Sequence, residues 1–307
     1  LKKIIIVLQG TTASGKTSLS IEIAKMLNAD ILSADSRQFY KELEIGVARP
    51  NINELSQVRH HFIASHSIHE AITAATFSKE ARRFTEDYFK HKDILIVVGG
   101  SGMYIDAYLY GLDDLPKDTR VMREILKAYE QHGTQYLINE IQSLDENALK
   151  NIDIQNPRRL MRLLEVLRIS GLPLKSQQTG DLKPINIPFL RFSIDWSRKD
   201  LYDRINSRVD AMLENGLEKE VNALKSFSNL SPLQTVGYQE WTTFENSRTL
   251  AIEKIKQHTR NYAKRQLTWL NKYEDLQRLN PYLDISLKEQ MISILQNNGM
   301  IIENKGF

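Results

Sequence analysis

The chain has 307 residues, with 41 Lys and Arg against 38 Asp and Glu and a formal charge of +3. It is long enough for a core domain plus a smaller unit, and the absence of cysteine excludes disulfide scaffolds, thiolate catalysis and Cys-type zinc sites. No stretch reaches the roughly eighteen apolar residues of a membrane span, and so small a net charge does not by itself argue for nucleic acid.

Lys2 and Lys3 ahead of the apolar run 4–8 have the outline of a secretory leader, but the run is short and leads straight into a glycine-rich segment. We expect a buried strand there and a cytoplasmic protein. The segment that follows is Gly10, Thr11, Thr12, Ala13, Ser14, Gly15, Lys16 and Thr17, which fits G-x-x-x-x-G-K-[ST] at every fixed position. Residues 18–27, with Leu19, Ile23 and Leu27 at helical spacing, supply the helix this motif requires. Glycines let backbone N–H groups turn inward around an anion, and the helix adds its positive end. Lys16 would neutralise phosphate oxygens, and the Thr17 hydroxyl would sit on Mg2+.

Residues 29–34 read as a second, parallel strand. Asp35, Ser36, Arg37 and Gln38 then emerge on the carboxyl edge of the sheet, beside the phosphate loop. A carboxylate at Asp35 can hold magnesium through water, act as a base, or cap the next turn. His60, His61, His66 and His69 crowd a weakly patterned region. His66-x-x-His69 has a metal-like spacing but no repeated carboxylate partner, so we expect structural histidines. Residues 77–90 predict an amphipathic helix with Ala81, Phe84 and Tyr88 inward, and 94–98 a third buried strand ending in Gly99, Gly100, Ser101 and Gly102. Small residues there admit a ligand close to the backbone, and Ser101 adds a hydroxyl.

From 113 the texture becomes charged and helical, with Pro116 near its start and Gly180, Pro184 and Pro188 near its end. The expected architecture is α/β: a P-loop parallel-sheet core, 1–112 and 185–307, with flanking helices and a helical insertion domain, 113–184. Arg158, Arg159, Arg162 and Arg168 share one insertion helix. The alternating run 189–196 returns to the sheet, and 201–224 predicts one long helix carrying Arg204 and Arg208 on one face. In 249–273, Lys256, Arg260 and Lys264 form a four-step basic stripe, while Ile252, Ile255, Tyr262 and Trp269 line another face. Such a stripe beside aromatic residues suits an RNA backbone and stacked bases, and equally a solvated helix face.

The loop alone leaves three classes open. These are a small-molecule kinase, an ATP-gated nucleic-acid-binding protein, and a transferase in which pyrophosphate is the leaving group. The assembled motifs resemble the tRNA dimethylallyltransferases over nearly the whole chain. The resemblance rests on residues 10–17 (family G-P-T-A-S-G-K-T), 33–38 (S-A-D-S-R-Q), Ile45, Gly46 and Ala48 (I-G-T-A-K-P), His60-His61, and 99–102 (G-G-T-G). It continues through Asn156 to Arg159, the Leu164-Glu165-Val166 helix end, Val236-Gly237-Tyr238 and, most specifically, TRNYAKRQLTW at 259–269.

That resemblance implies transfer of a dimethylallyl group from dimethylallyl diphosphate to N6 of adenosine 37 in tRNAs reading codons that begin with U. Asp35 would accept the N6 proton, and residues 10–17, Mg2+ on Thr17 and Arg208 would stabilise the departing diphosphate. Thr12 and Ser101 match hydroxyl positions near the reacting centre. Asp35, Ser36, Arg37, Gln38 and Ser101 would read a flipped base. Arg123, Arg158, Arg159, Arg162, Arg260, Lys264 and Arg265 would grip the anticodon stem-loop, with the insertion contacting tRNA. A monomer without a membrane partner is implied. Thr11, Ser101, Val47 and Arg49 replace a proline, a threonine, a threonine and a lysine of the family, and Ile154 and Gln155 a histidine and a proline. An adenylate dimethylallyltransferase shares the loop and the chemistry, but the RNA-holding segments would have no use on a mononucleotide.

Overall fold

A computed structural model describes residues 3–70, 72–113, 115–150, 152–177 and 183–300; Gly180, used above to mark the end of the insertion, lies outside them. Strand β1 (Ile4–Gln9) is buried from Ile5 onward and runs into the phosphate loop. Gly15, at φ 93°, lets the chain turn into α1 (Lys16–Leu27), and Asn28 at φ 49° ends that helix. After β2 (Asp30–Ser33) come α2 (Ile52–Leu55), the two-residue β3 (His60–His61) and α3 (Ala74–Tyr88), whose Thr73 cap accepts from the Thr76 amide. Strand β4 (Ile94–Gly99) and helix α4 (Gly102–Tyr110) follow.

The chain then divides into two units, Leu1–Leu109 with Ile185–Phe307, and Tyr110–Pro184. In the second, α5 (Thr119–Leu144) is broken at Gly133, which sits at φ 72°. Helix α6 (Pro157–Ser170) starts at an Asn156 cap with Pro157 in its first turn and stops at Gly171, φ 64°. Short α7 is Leu174–Gln177. Ile125, Leu137, Ile141, Leu160 and Leu164 form this unit's own core, and Arg168 clasps Glu140 through two bonds of 2.6 and 2.7 Å.

In the first unit, the Ile185 amide donates to Leu109 O at 2.7 Å, so the points where the chain leaves and returns are tied together. Strand β5 (Phe189–Ile194) leads to α8 (Arg198–Glu214) and α9 (Leu217–Ala223). These replace the single long helix expected over 201–224. Gly216, at φ 99°, caps α9 in the left-handed region and forces the break. Then come α10 (Gln239–Thr243), α11 (Arg248–Leu270), β6 (Gln277–Leu279) and α12 (Leu287–Asn297). Among the described residues no helix is long and apolar enough to cross a membrane.

All six strands are parallel, in the order β3-β2-β4-β1-β5-β6. Parallel sheets covered by helices on both faces bury near-continuous apolar strands, as β1 and β4 are. The register sets Gln9 opposite Gly99 and Ser33 opposite Val98. The phosphate loop, the segment after β2 and the glycine segment after β4 therefore leave the sheet at one edge. Gly99 is fixed by sterics: a Cβ there would lie 2.4 Å from Ala34 O, backbone that cannot move without breaking the β2–β4 pairing. Gly99→Ala should lower unfolding stability by about 1–3 kcal/mol, read as a reduced denaturant midpoint at unchanged slope.

Candidate active site

At that sheet edge a cavity of about 360 Å³ opens in the first unit. Its floor is the loop (Thr12, Lys16, Thr17) with Gly99 and Gly100, one wall is residues 35–38 with Gly46 and Val47, and α8 contributes Arg208. Helix α11 forms the facing wall with Ile255, Thr259, Tyr262, Arg265 and Gln266, a spacing that keeps most of them on one helical face.

The loop is braced from several directions. Ser14 Oγ donates to Thr11 O at 2.9 Å and Lys16 Nζ to the same carbonyl at 2.5 Å. The Trp196 indole donates to Ser14 O at 2.9 Å, and Arg204 Nε, stacked on Trp196, donates to Ala13 O at 2.8 Å. Gln266 bridges two loops, its Oε1 accepting from the Thr12 amide and its Nε2 donating to Gly100 O, both at 2.9 Å. Arg204 thus supports the loop from behind, and Arg208 is the one of the two that lines the cavity. Burial, together with the neighbouring Arg208 cation, pushes the Lys16 ammonium down to about 7, against the pull of Asp35. Burial also lowers Arg208, which Asp35 and Glu54 raise and Arg204 lowers further. Two desolvated cations and inward-turned amides make a site for a polyanion.

Asp35 lies beyond the end of β2, and its Oδ1 accepts from the Arg37 amide at 3.0 Å. It does cap its own turn, and it also lines the cavity. Ser101 Oγ accepts from the Ser36 amide and donates to Ser36 Oγ, both at 3.1 Å. Gln38 is engaged inside the wall: Nε2 donates to Val47 O at 3.3 Å and Ala48 O at 3.0 Å, and Oε1 accepts from Ser33. At Val47, then, it is the backbone carbonyl that carries the polar contact. The same wall is clamped from outside by the Glu220 carboxylate, which accepts from the Glu44, Ile45 and Gly46 amides and from the Tyr238 hydroxyl.

The basic stripe of α11 meets α8. Lys256 pairs with Asp210 at 2.5 Å, and Arg260 bonds Asn206 at 2.7 Å and lies over the Tyr202 ring. Residues 202, 206 and 210 repeat the same four-residue step, so the stripe is one side of a helix–helix seam. This corrects the reading of the stripe as a freely presented face, although Lys264 and Arg265 remain exposed. In the second unit Arg123, Arg158 and Arg159 are exposed, whereas Arg162 is held by Leu115 O, Pro116 O and Glu165.

The histidines act singly. His61 bonds Asp30 at 2.8 Å and packs on Phe84, His60 meets Val58 O, His66 pairs with Glu80, and His69 abuts Phe227. Among the described residues no three His, Cys, Asp or Glu side chains converge as a metal site. Tyr262 and Gln266 are cavity residues that the sequence reading does not single out, although they stand three and seven residues after Thr259, on the same helical face.

A parallel α/β sheet with a phosphate loop, an edge carboxylate and two half-buried cations defines an enzyme acting on a phosphorylated substrate. The family model for IPP transferase matches residues 38–273. A tRNA dimethylallyltransferase of Flavobacterium psychrophilum is 43% identical over 281 residues, covering 88% of this chain and 92% of the relative. One from Cytophaga hutchinsonii is 40% identical over 285 residues, covering 92% and 94%. The structure of a tRNA isopentenylpyrophosphate transferase from Bacillus halodurans matches with TM-score 0.69 at 28% identity, covering 97% of this chain and 96% of that one. A eukaryotic dimethylallyltransferase acting on tRNA matches with TM-score 0.80 at 25% identity, covering 99% and 82%. The chain belongs to the IPP transferase family, among the tRNA dimethylallyltransferases.

If the α8–α11 seam is structural, truncating its middle should cost more than truncating its end. Arg260→Ala should lower stability by about 1–2 kcal/mol through lost packing and a lost hydrogen bond, and Lys264→Ala by less than about 0.5 kcal/mol, both read by chemical denaturation.

Proposed function

We propose that the cavity transfers a dimethylallyl group from dimethylallyl diphosphate to N6 of adenosine 37, beside the anticodon of tRNAs reading codons that begin with U, and releases diphosphate. The observation that carries this is the convergence of Asp35 with the phosphate loop and Arg208 on one cavity. Adenine N6 is a weak nucleophile because its lone pair is delocalised into the ring, so proton removal must accompany attack. Asp35 Oδ1 already accepts from the Arg37 amide, and Oδ2 is the oxygen we assign to the N6 proton.

The diphosphate lies in the 10–17 loop. Its departure builds negative charge, which the loop amides, Lys16 and Arg208 stabilise without reorganising. In this arrangement Arg208 is the diphosphate arginine and Arg204 a brace of the loop. A bound polyanion favours protonated Lys16 against the burial and the Arg208 cation that lower it. Thr12 stands at the junction of loop and α11, with its amide held by Gln266. Thr17 lines the cavity with its hydroxyl at the first turn of α1, a hard oxygen donor that fits Mg2+, which takes one or two protein oxygens along with phosphate oxygens and water. Such an ion would supply further charge neutralisation of the leaving group.

The acceptor base reaches the cavity only when flipped out of the anticodon loop. Ser36, Arg37 and Ser101 are its neighbours beside Asp35, while Gln38 stiffens the wall. Exposed Arg123, Arg158, Arg159, Lys264 and Arg265 are the cations offered to the RNA backbone, and Arg162 and Arg260 keep architectural partners. The chain acts as a cytoplasmic monomer in this reading.

The test supplies labelled dimethylallyl diphosphate and Mg2+ with an unmodified anticodon stem-loop, beside parallel reactions with AMP and ATP. Label is expected on the RNA alone; label on AMP or ATP would make the chain an adenylate enzyme. Asp35→Asn should slow single-turnover transfer by about 10²–10⁴-fold, with stem-loop affinity changed no more than a few-fold.

A further inference from the structure

Residues 44–48 make the cavity wall next to the Asp35 turn, with Gly46 and Val47 lining it, yet they belong to no helix or strand. Ala48 sits at φ 46°, a left-handed conformation that alanine rarely adopts, so neighbouring groups must impose the shape of the segment. Two side chains do so from opposite sides. Gln38 Nε2 holds the carbonyls of Val47 and Ala48. Glu220, from α9, holds the amides: Oε2 accepts from Glu44 at 3.1 Å and Ile45 at 2.8 Å, and Oε1 from Gly46 at 3.0 Å. Oε1 also accepts from the Tyr238 hydroxyl at 2.5 Å, and the Tyr238 ring lies so close that a Cβ on Gly46 would stand 2.6 Å from it.

An ionised carboxylate offers about four lone-pair sites and no proton. Here four donors use them. A glutamine would keep one acceptor oxygen and turn its amino group on the other two donors, and an aspartate is one methylene short. Tyr238 is anchored in turn. The Gly237 amide donates to Glu240 Oε2 at 2.8 Å, and buried Glu240 meets His258 Nδ1 of α11 at 2.7 Å. The bonds therefore run from α11 through Glu240, residues 237–238 and Glu220 to the 44–48 segment. From there Gln38 leads to the turn in which the Arg37 amide orients Asp35.

We propose that Glu220 is a positioning residue for the transfer: by joining the 44–48 wall to Tyr238, it holds the Asp35 turn at a fixed distance from α11 and the phosphate loop. The inference rests on the transfer reading above. Glu220 does not line the cavity, so it acts through residues 44–48 and Gln38. An in-line reaction is sensitive to such spacing, and a displacement of about 1 Å can cost on the order of 10²-fold in rate. The phosphate loop and the exposed arginines lie outside this series, so loss of the clamp leaves binding of diphosphate and of the RNA backbone intact.

Glu220→Gln should lower the single-turnover rate at saturating substrates about ten-fold per folded molecule, with the Kd for the stem-loop and for an unreactive thiolodiphosphate analogue within about two-fold. Tyr238→Phe, which keeps the carboxylate and removes one of its four donors, should cost about three-fold, and the double variant should be no slower than Glu220→Gln alone. A wild-type rate per folded molecule in Glu220→Gln, even with a lowered melting temperature, would make the clamp purely structural and overturn the proposal. Losses that multiply in the double variant would also overturn it. A readout independent of turnover is NMR of the Gln38 side-chain amide and the Asp35 carboxyl carbon, both of which should shift in Glu220→Gln. Shifts confined to the 44–46 amides would mean that the series stops short of the site. Absence of prenylated RNA from the wild-type chain counts instead against the transfer reading.

Discussion

The side-chain amide of Gln266 is the contact on which the site most depends. Its two bonds join the phosphate loop, through the Thr12 amide, to the glycine segment after β4, through Gly100 O, and both to α11. Either backbone group, left unpaired in the interior, would cost on the order of 1–3 kcal/mol. The helix is therefore part of the active-site frame. Because Thr259, Tyr262 and Arg265 share its inner face, fixing Gln266 also fixes the wall that faces Asp35.

A second set of contacts secures the same assembly from beneath. Arg191, in the middle of β5, is fully buried, with NH1 donating to Gln9 Oε1 at 2.5 Å and its guanidinium 3.7 Å from the Tyr273 ring centre. Asp106 accepts from the Tyr273 hydroxyl and the Trp269 indole and lies 3.7 Å from Arg191. A buried charge is tolerated where a counter-charge, hydrogen bonds and an aromatic face meet it together. Gln9 directly precedes Gly10, Trp269 stands in the last turn of α11 and Tyr273 just beyond it, so the network ties the root of the loop to the far end of the helix.

Much of this frame was legible because its signals are local. The loop motif needs a strand before it and a helix after it, and both were evident from apolar spacing. Asp35 could be assigned to the ligand edge because a parallel strand must end there. Other features depend on partners far away in sequence. The stripe of Lys256, Arg260 and Lys264 has the same periodicity whether it meets RNA, water or α8, and only the matching step of Tyr202, Asn206 and Asp210 decides it. Likewise the break at Gly216 looks like one weak helical residue until its φ is known. Strands β3 and β6, of two and three residues, are too short for alternation to register. Gln38 could be aligned with a base-reading motif, but not seen to hold the carbonyls of Val47 and Ala48.

The central claim is that one cavity brings a flipped adenosine and an allylic diphosphate to opposite sides of a single in-line reaction path. A crystal structure with an anticodon stem-loop and an unreactive thiolodiphosphate analogue addresses it directly. The account predicts adenosine 37 out of the RNA stack with N6 in hydrogen-bond reach of Asp35, and the diphosphate in the 10–17 loop between Lys16 and Arg208. A base still stacked in the anticodon loop, or a diphosphate bound away from that loop, would contradict it.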